Sequence, residues 1–288
     1  MTGVLQSTLG NLPEFFIVLF ALSAGELVVA RTSILGSIFA NALLVLGIVL
    51  LAGCHASEDG VMRFHTRLPK DNAVLLLLTS FLIVLIGLSV ATDDNASTHV
   101  TAISVVGAVA LLVTYGVWLY DYLRSDMPRE GGAAQRVSLT LAFALLAAGG
   151  VGAAFVSDWF IAALEPAIEA LHLSQAFTGL VIVAIAGNAV ENVVGIQLAA
   201  ANKPDYAISV ILNSSLQVAL FLTPALVLLS LVVGGAYLTL VMPPMLVVAV
   251  GLAALLGALI VFDGESTWLE GMALLGLYAI LAASFWWG

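Results

Sequence analysis

One cysteine, eight Lys plus Arg and a charged fraction of 9% are the main scarcities of this 288-residue sequence. The lone Cys54 excludes an internal disulfide framework and any multi-cysteine metal site. So little charge beside 62% hydrophobic residues lies outside the range of soluble globular domains and marks an integral membrane protein. The apolar runs are mostly longer than a spanning helix needs and lack the alternating period of barrel strands, which excludes an outer-membrane barrel. His55, His65, His99 and His172 fall in loops or at helix ends without metal-ligand spacing, and read as surface residues. With no buried histidine, no Gly-x-Ser-x-Gly phrase and no facing aspartate pair, the sequence argues against an intramembrane enzyme. The net charge of −10 is scattered over several loops and defines no docking surface, and no nucleic-acid partner is expected. Met1 to Pro13 has no basic residue and no compact apolar core before a cleavage site, so no signal peptide is expected.

What the sequence does contain is about nine apolar segments of helical length, at about 9–29, 30–53, 72–92, 99–123, 137–157, 174–201, 205–233, 236–262 and 267–287. The expected fold is all-α and multi-pass, with a first unit at 1–123, a polar linker at 124–136 and a second unit at 137–288. Arg63, Arg67 and Lys70 follow the second segment, and Arg124, Arg129 and Arg136 lie in the linker; the positive-inside rule puts both loops in the cytoplasm. The loop read at 158–173, acidic and without Lys or Arg, then falls outside. The expected location is a bacterial inner membrane, with the lipid bilayer as the main partner.

Two acids break the apolar pattern. Glu14 and Glu191 each close the phrase Gly-Asn-x-x-Glu, 177 positions apart, and a gapless overlay of 10–41 on 187–218 also matches Ala24, Ala30, Ile34, Leu35 and Ser37 with Ala201, Ala207, Ile211, Leu212 and Ser214. An ionised carboxylate at bilayer depth costs about 3 kcal/mol or more, and no deep Lys or Arg stands ready to pair either one. The topology runs the two helices in opposite directions, so the repeat is inverted. Inverted repeats bring equivalent half-sites together near the midplane, as in secondary transporters. Position 1 aligns with Thr178, so the segment at 137–157 has no counterpart in the first unit. A four-plus-five arrangement lacking the first helix of the first repeat is expected, with a second copy of the chain or a helix from elsewhere to fill the groove it leaves.

On one helix face, Gly10, Asn11 and Glu14 cluster, as do Gly187, Asn188 and Glu191. Pro13 should loosen the ladder beside the first cluster. Ser37 with Asn41, and Ser214 with Gln217, add oxygens from the next helix of each repeat. These are hard ligands, suited to Ca²⁺, which takes about six to eight oxygens, rather than to zinc or copper. An empty cage is least costly when its carboxyls carry protons, so Ca²⁺ and protons compete for the same oxygens. That competition is a physical basis for antiport. Ca²⁺ and H⁺ enter as transported substrates, and no resident cofactor is expected. Gly149, Gly150 and Gly152 read as close-packing positions, and Gln197, off the glutamate face, as an interhelical hydrogen-bonding group.

Gly10-Asn11-Leu12-Pro13-Glu14 with Gly36-Ser37-Ile38-Phe39-Ala40-Asn41, and Gly187-Asn188-Ala189-Val190-Glu191 with Asn213-Ser214-Ser215-Leu216-Gln217, resemble the paired signature regions of the Ca²⁺/H⁺ antiporter (cation/proton exchanger) family. The resemblance implies exchange of Ca²⁺, or a similar divalent cation, for H⁺. Glu14 and Glu191 would be the carriers, and Asn11, Asn188, Ser37, Ser214, Asn41 and Gln217 the supporting polar groups. Asn192 stands where many members have histidine and Asn213 where glycine is usual, the linker lacks the family's acidic segment, and the opening helices are absent. The absent helix implies a form that binds Ca²⁺ at best weakly and does not transport unless an upstream helix is restored or a partner supplies one. The alternatives are a Na⁺/Ca²⁺-type exchanger, although the Gly-Thr-Ser usual in that group does not occur in place of Gly-Asn, and a passive channel, which would want weak multiple sites.

Overall fold

In the computed structural model of the chain, residues 10–124, 139–233 and 236–286 are described. They form ten helices: α1 Leu12–Ser23, α2 Leu27–Ala56, α3 Arg67–Ala91, α4 Val100–Arg124, α5 Leu139–Leu171, α6 Gln175–Gly187, α7 Ala189–Ala200, α8 Pro204–Val233, α9 Pro244–Ile260 and α10 Trp268–Trp286. Two short strands, β1 Val61–Arg63 and β2 Glu265–Thr267, pair antiparallel with Val61 opposite Thr267. The protein is thus an all-α membrane protein. Six helices are long and apolar enough to cross a bilayer, or seven if α6 and α7 count as one bent span. At about 1.5 Å per residue, the 12 residues of α1 and the 17 of α9 fall short of a hydrocarbon core of about 30 Å.

Two of the expected helix segments need correction. The fifth segment does not stop near 157. α5 continues for 33 residues through Pro166 to Leu171, so the acidic stretch read as a loop is helical. At about 50 Å this helix is longer than the bilayer core, and its exposed Glu169 lies beyond the apolar stretch Ala147–Leu164, while the exposed Asp158 falls within it. The second correction is a break: the segment read as one helix at 174–201 is split at Asn188, and its halves bend by 62°. The linker at 124–136, beyond Arg124, and residues 1–9, onto which 178–186 align, lie outside the described residues.

The core forms where α1, α2, α6, α7 and α8 cross. α2 buries most of its circumference, including Ile34, Leu35, Phe39, Leu46 and Leu50. Glycine makes the α2–α6 crossing tight: a side chain at Gly36 would run into the Leu180 backbone, and one at Gly179 would meet the Thr32 side chain and the Val29 carbonyl. Outer helices α3, α4, α5, α9 and α10 turn Phe81, Val106, Trp159, Leu252 and Ile280 outward, an apolar perimeter suited to lipid. Gly149 and Gly152 lie exposed on α5, and Gly150 only approaches Leu12, so they are not the close-packing positions expected. Gln197 is exposed as well.

Polar contacts gather at the two ends of the bundle. At one end Arg63 pairs with Asp59 (2.7 Å) and Glu265 (3.2 Å), and His65 meets Asp205 (3.0 Å). Arg63 beside Asp59 holds that carboxyl below the usual carboxylate range. At the other end Gln175 donates to Glu26 (3.0 Å) and Ser174 to the Phe285 carbonyl.

Candidate cation site

Both glutamates sit in the first turn of a half-helix. α1 starts after Asn11 (φ −84°, ψ −1°) and α7 after Asn188 (φ −105°, ψ 12°), so the two Gly-Asn phrases are equivalent breaks. Pro13 suits the first turn of α1, where its missing amide hydrogen would have no helical partner. Helix N-termini present free amide groups and the positive end of the dipole, which favour an acid at this place. In membrane transporters such half-helix ends face the substrate.

The repeats meet reciprocally. A side chain on Gly10 would fall on the Glu191 carboxyl, and one on Gly187 would lie 3.4 Å from Glu14 Cβ. Each glycine therefore makes room for the glutamate of the other half. Glu14 is fully buried and Glu191 6% exposed.

A network of amides and hydroxyls surrounds them. Asn188 Nδ2 donates to Ser37 Oγ (2.8 Å) and to Glu14 Oε2 (3.4 Å). Ser214 Oγ is the hub: its single proton is shared between Asn11 Oδ1 (3.2 Å) and Asn188 Oδ1 (3.4 Å), and it accepts from Asn41 Nδ2 (3.1 Å). Asn11 Nδ2 donates to Gln217 Oε1 (3.0 Å). Seven of the eight residues singled out from the sequence are thus joined by hydrogen bonds, while Glu191 stands beside them against Gly10. Glu14 Oε1, both Glu191 oxygens and Asn41 Oδ1 are buried without a hydrogen-bond partner among the described residues. Such a set of acceptors is what a hard cation would use.

The local backbone is unusual at the same level. A π-helical turn follows Ser37 at Ala40–Val45 and another follows Gln217 at Val218–Leu222, with a third in α6 at Thr178–Val183. π turns recur at functional sites.

Three features escaped sequence reading. Ser157 of α5 donates to the Pro13 carbonyl (3.1 Å), tying the long helix to the Glu14 turn. Tyr115 of α4 packs its ring 5.5 Å from that of Phe221, in the π turn just after Gln217. Arg31, in the second turn of α2, reaches Thr239 (3.1 Å) and pairs with no carboxylate among the described residues. The histidines His55, His65, His99 and His172 are all exposed.

Broken helices around a polar centre fit the class of secondary transporters. Sequence comparison identifies the group. The pattern of the family described as sodium/calcium exchanger protein matches residues 1–121 and 141–287, and the chain belongs to that family, in its Ca²⁺/H⁺ exchanger branch. It is 31% identical to a Ca²⁺/H⁺ antiporter of Aphanothece halophytica, over 98% of this chain and 81% of that protein. It is also 31% identical to the Ca²⁺/H⁺ antiporter ChaA of Bacillus subtilis, over 98% and 82%. Among solved structures, native YfkE superposes with a TM-score of 0.81 at 30% identity, covering 99% of this chain and 83% of that one. The H⁺/Ca²⁺ exchanger CAX shares the fold at a TM-score of 0.70 and 14% identity.

Proposed function

We propose that the chain exchanges Ca²⁺, or a similar divalent cation, for protons across its membrane, with Glu14 and Glu191 as the shared carriers of both. The reading rests above all on the reciprocal placement of each repeat's glycine against the other's glutamate, which leaves two buried carboxyls without a basic partner. Bare carboxylates are costly in that position. A bound divalent cation or a pair of protons removes the cost equally, and the two fillings exclude each other. Asn11, Asn188, Ser37, Ser214, Asn41 and Gln217 supply neutral oxygens, which complete a coordination shell without adding charge. Alternating exposure of the centre through movement of one repeat against the other then couples the two flows. The names of the antiporter relatives point the same way.

The test is exchange by purified protein in proteoliposomes. Glu14→Gln and Glu191→Gln should each abolish Ca²⁺ uptake and the opposing proton flux together, because glutamine keeps an oxygen but neither releases a proton nor carries charge. Full coupled exchange in either variant would show that protons travel by another route.

A further inference from the structure

On the outer surface, α3 and α9 pack antiparallel, with Gly87 against Val247 and Gly251 against Val84. Beside this crossing runs a groove of about 490 Å³, lined chiefly by Val74, Leu77, Phe81 and Val84 of α3 and by Gly251 of α9. Val74 and Phe81 are 64% and 65% exposed, so no other part of the described chain covers it.

The groove has a length and a charged end. Ten residues separate Val74 from Val84, about 15 Å of helix, which is half of a hydrocarbon core of about 30 Å. It therefore spans one leaflet. Lys70 stands one turn before Val74 and shares the face of Val74, Leu77, Phe81 and Val84. Its ammonium lies 4.7 Å from the centroid of the exposed Phe262 ring, just beyond the end of α9, and makes no ion pair among the described residues. The neighbouring carboxylates are turned to other groups. Asp121 faces Arg67 (4.0 Å), Glu265 takes Arg63 (3.2 Å), and Asp263 accepts from the Glu265 amide (3.1 Å). Asp71 lies about 100° round the helix from Lys70, toward the side where Leu82 meets Gly107 of α4. Arg67 and Lys70 open α3, whose first turn carries no acid. The positive end of a helix dipole disfavours cations, and an anion bound there offsets both charges.

We propose that this groove is a binding site for an anionic phospholipid of the leaflet at the basic end, with one acyl chain along α3 and the phosphate on the Lys70 ammonium. A basic group at the mouth of an apolar groove between spanning helices selects acidic headgroups, and the aromatic ring under the lysine holds it at the interface. A zwitterionic lipid fills the apolar part equally well but brings its own ammonium toward Lys70. The site is remote from the glutamates, and the proposal does not depend on the exchange reading.

Native mass spectrometry of the delipidated full chain in detergent tests it, with phosphatidylglycerol or phosphatidylethanolamine of the same acyl chains added. Phosphatidylglycerol should bind about fivefold more tightly, the scale for one basic residue at a membrane surface. Lys70→Gln should bring the two lipids level, and Lys70→Arg should keep the preference. Gly251→Leu fills the groove from its α9 wall, where a Cβ makes an ordinary contact 3.6 Å from Val84, and should weaken both lipids alike. Ile280→Phe, on the outward face of α10, should change neither. Thermal unfolding without lipid checks that each variant is folded, and if Gly251→Leu is not, the two Lys70 variants decide. Equal binding of the two lipids by the parent chain, a preference that survives Lys70→Gln, or parent-like binding by folded Gly251→Leu would overturn the proposal. A lipid-free oligomer that Gly251→Leu disperses would overturn it too, by giving the groove to a second copy of the chain.

Discussion

Gly10 and Gly187 occupy equivalent positions, yet they have unequal room. A methyl group on Gly10 falls on the Glu191 carboxyl, whereas on Gly187 it makes an ordinary contact 3.4 Å from Glu14 Cβ. Gly10→Ala should therefore raise the Ca²⁺ concentration for half-maximal exchange about tenfold or more, the usual scale for overpacking, and Gly187→Ala only about twofold. Uptake of radioactive Ca²⁺ over a concentration series checks the order, and a larger effect at Gly187 would contradict the geometry. Ser214 and Ser215 give a second contrast. Both are fully buried, but Ser214 joins three asparagines while Ser215 bonds only the Ile211 carbonyl of its own helix (3.2 Å). Ser214→Ala should weaken apparent Ca²⁺ affinity about five- to tenfold, and Ser215→Ala should leave it within about twofold.

At the scale of elements, the tight α2–α6 crossing sets the frame in which the half-helices work. Gly36 and Gly179 meet backbone, which cannot swing aside as a side chain does. Gly36→Ala or Gly179→Ala should destabilise the fold by about 1–3 kcal/mol, so that thermal stability and transport fall together. Gly10→Ala meets only the Glu191 side chain and should weaken Ca²⁺ affinity with its melting temperature nearly unchanged, and thermal unfolding in detergent separates the two cases. Much of the site could be read from the sequence, because Glu14, Glu191 and their amides are polar residues where an apolar helix should have none. The helix breaks were not legible in this way. Asn188 interrupts its segment without proline or a run of glycines, and its conformation follows from bonds to Ser37 and Glu14 that exist only after folding. The extension of α5 was missed for the opposite reason: Pro166 and several acids imitate a loop, although a helix leaving the bilayer tolerates both.

For the whole molecule, the polar contacts divide into two ends that agree with the charge pattern of the loops. The β1–β2 pair, Arg63 with Asp59 and Glu265, His65 with Asp205 and Arg67 near Asp121 (4.0 Å) gather at the end that carries most of the basic residues. Asp93 and Asp94 lie at the far end of α3, 25 residues long and about 37 Å away along its axis. The positive-inside rule assigns the first end to the cytoplasm. The native Cys54 is buried and should react slowly, so single cysteines report topology against a quiet background. Asp59→Cys should be labelled by a membrane-impermeant maleimide in inside-out vesicles and protected in right-side-out ones, and Asp94→Cys should show the reverse. Exposed ion pairs such as Arg63–Asp59 add little to stability, so loss of Asp59 should leave the fold intact for this measurement. Labelling of both positions from the same side would mean that α3 does not span the bilayer, and the inverted relation of the two glutamate helices would lose its topological basis.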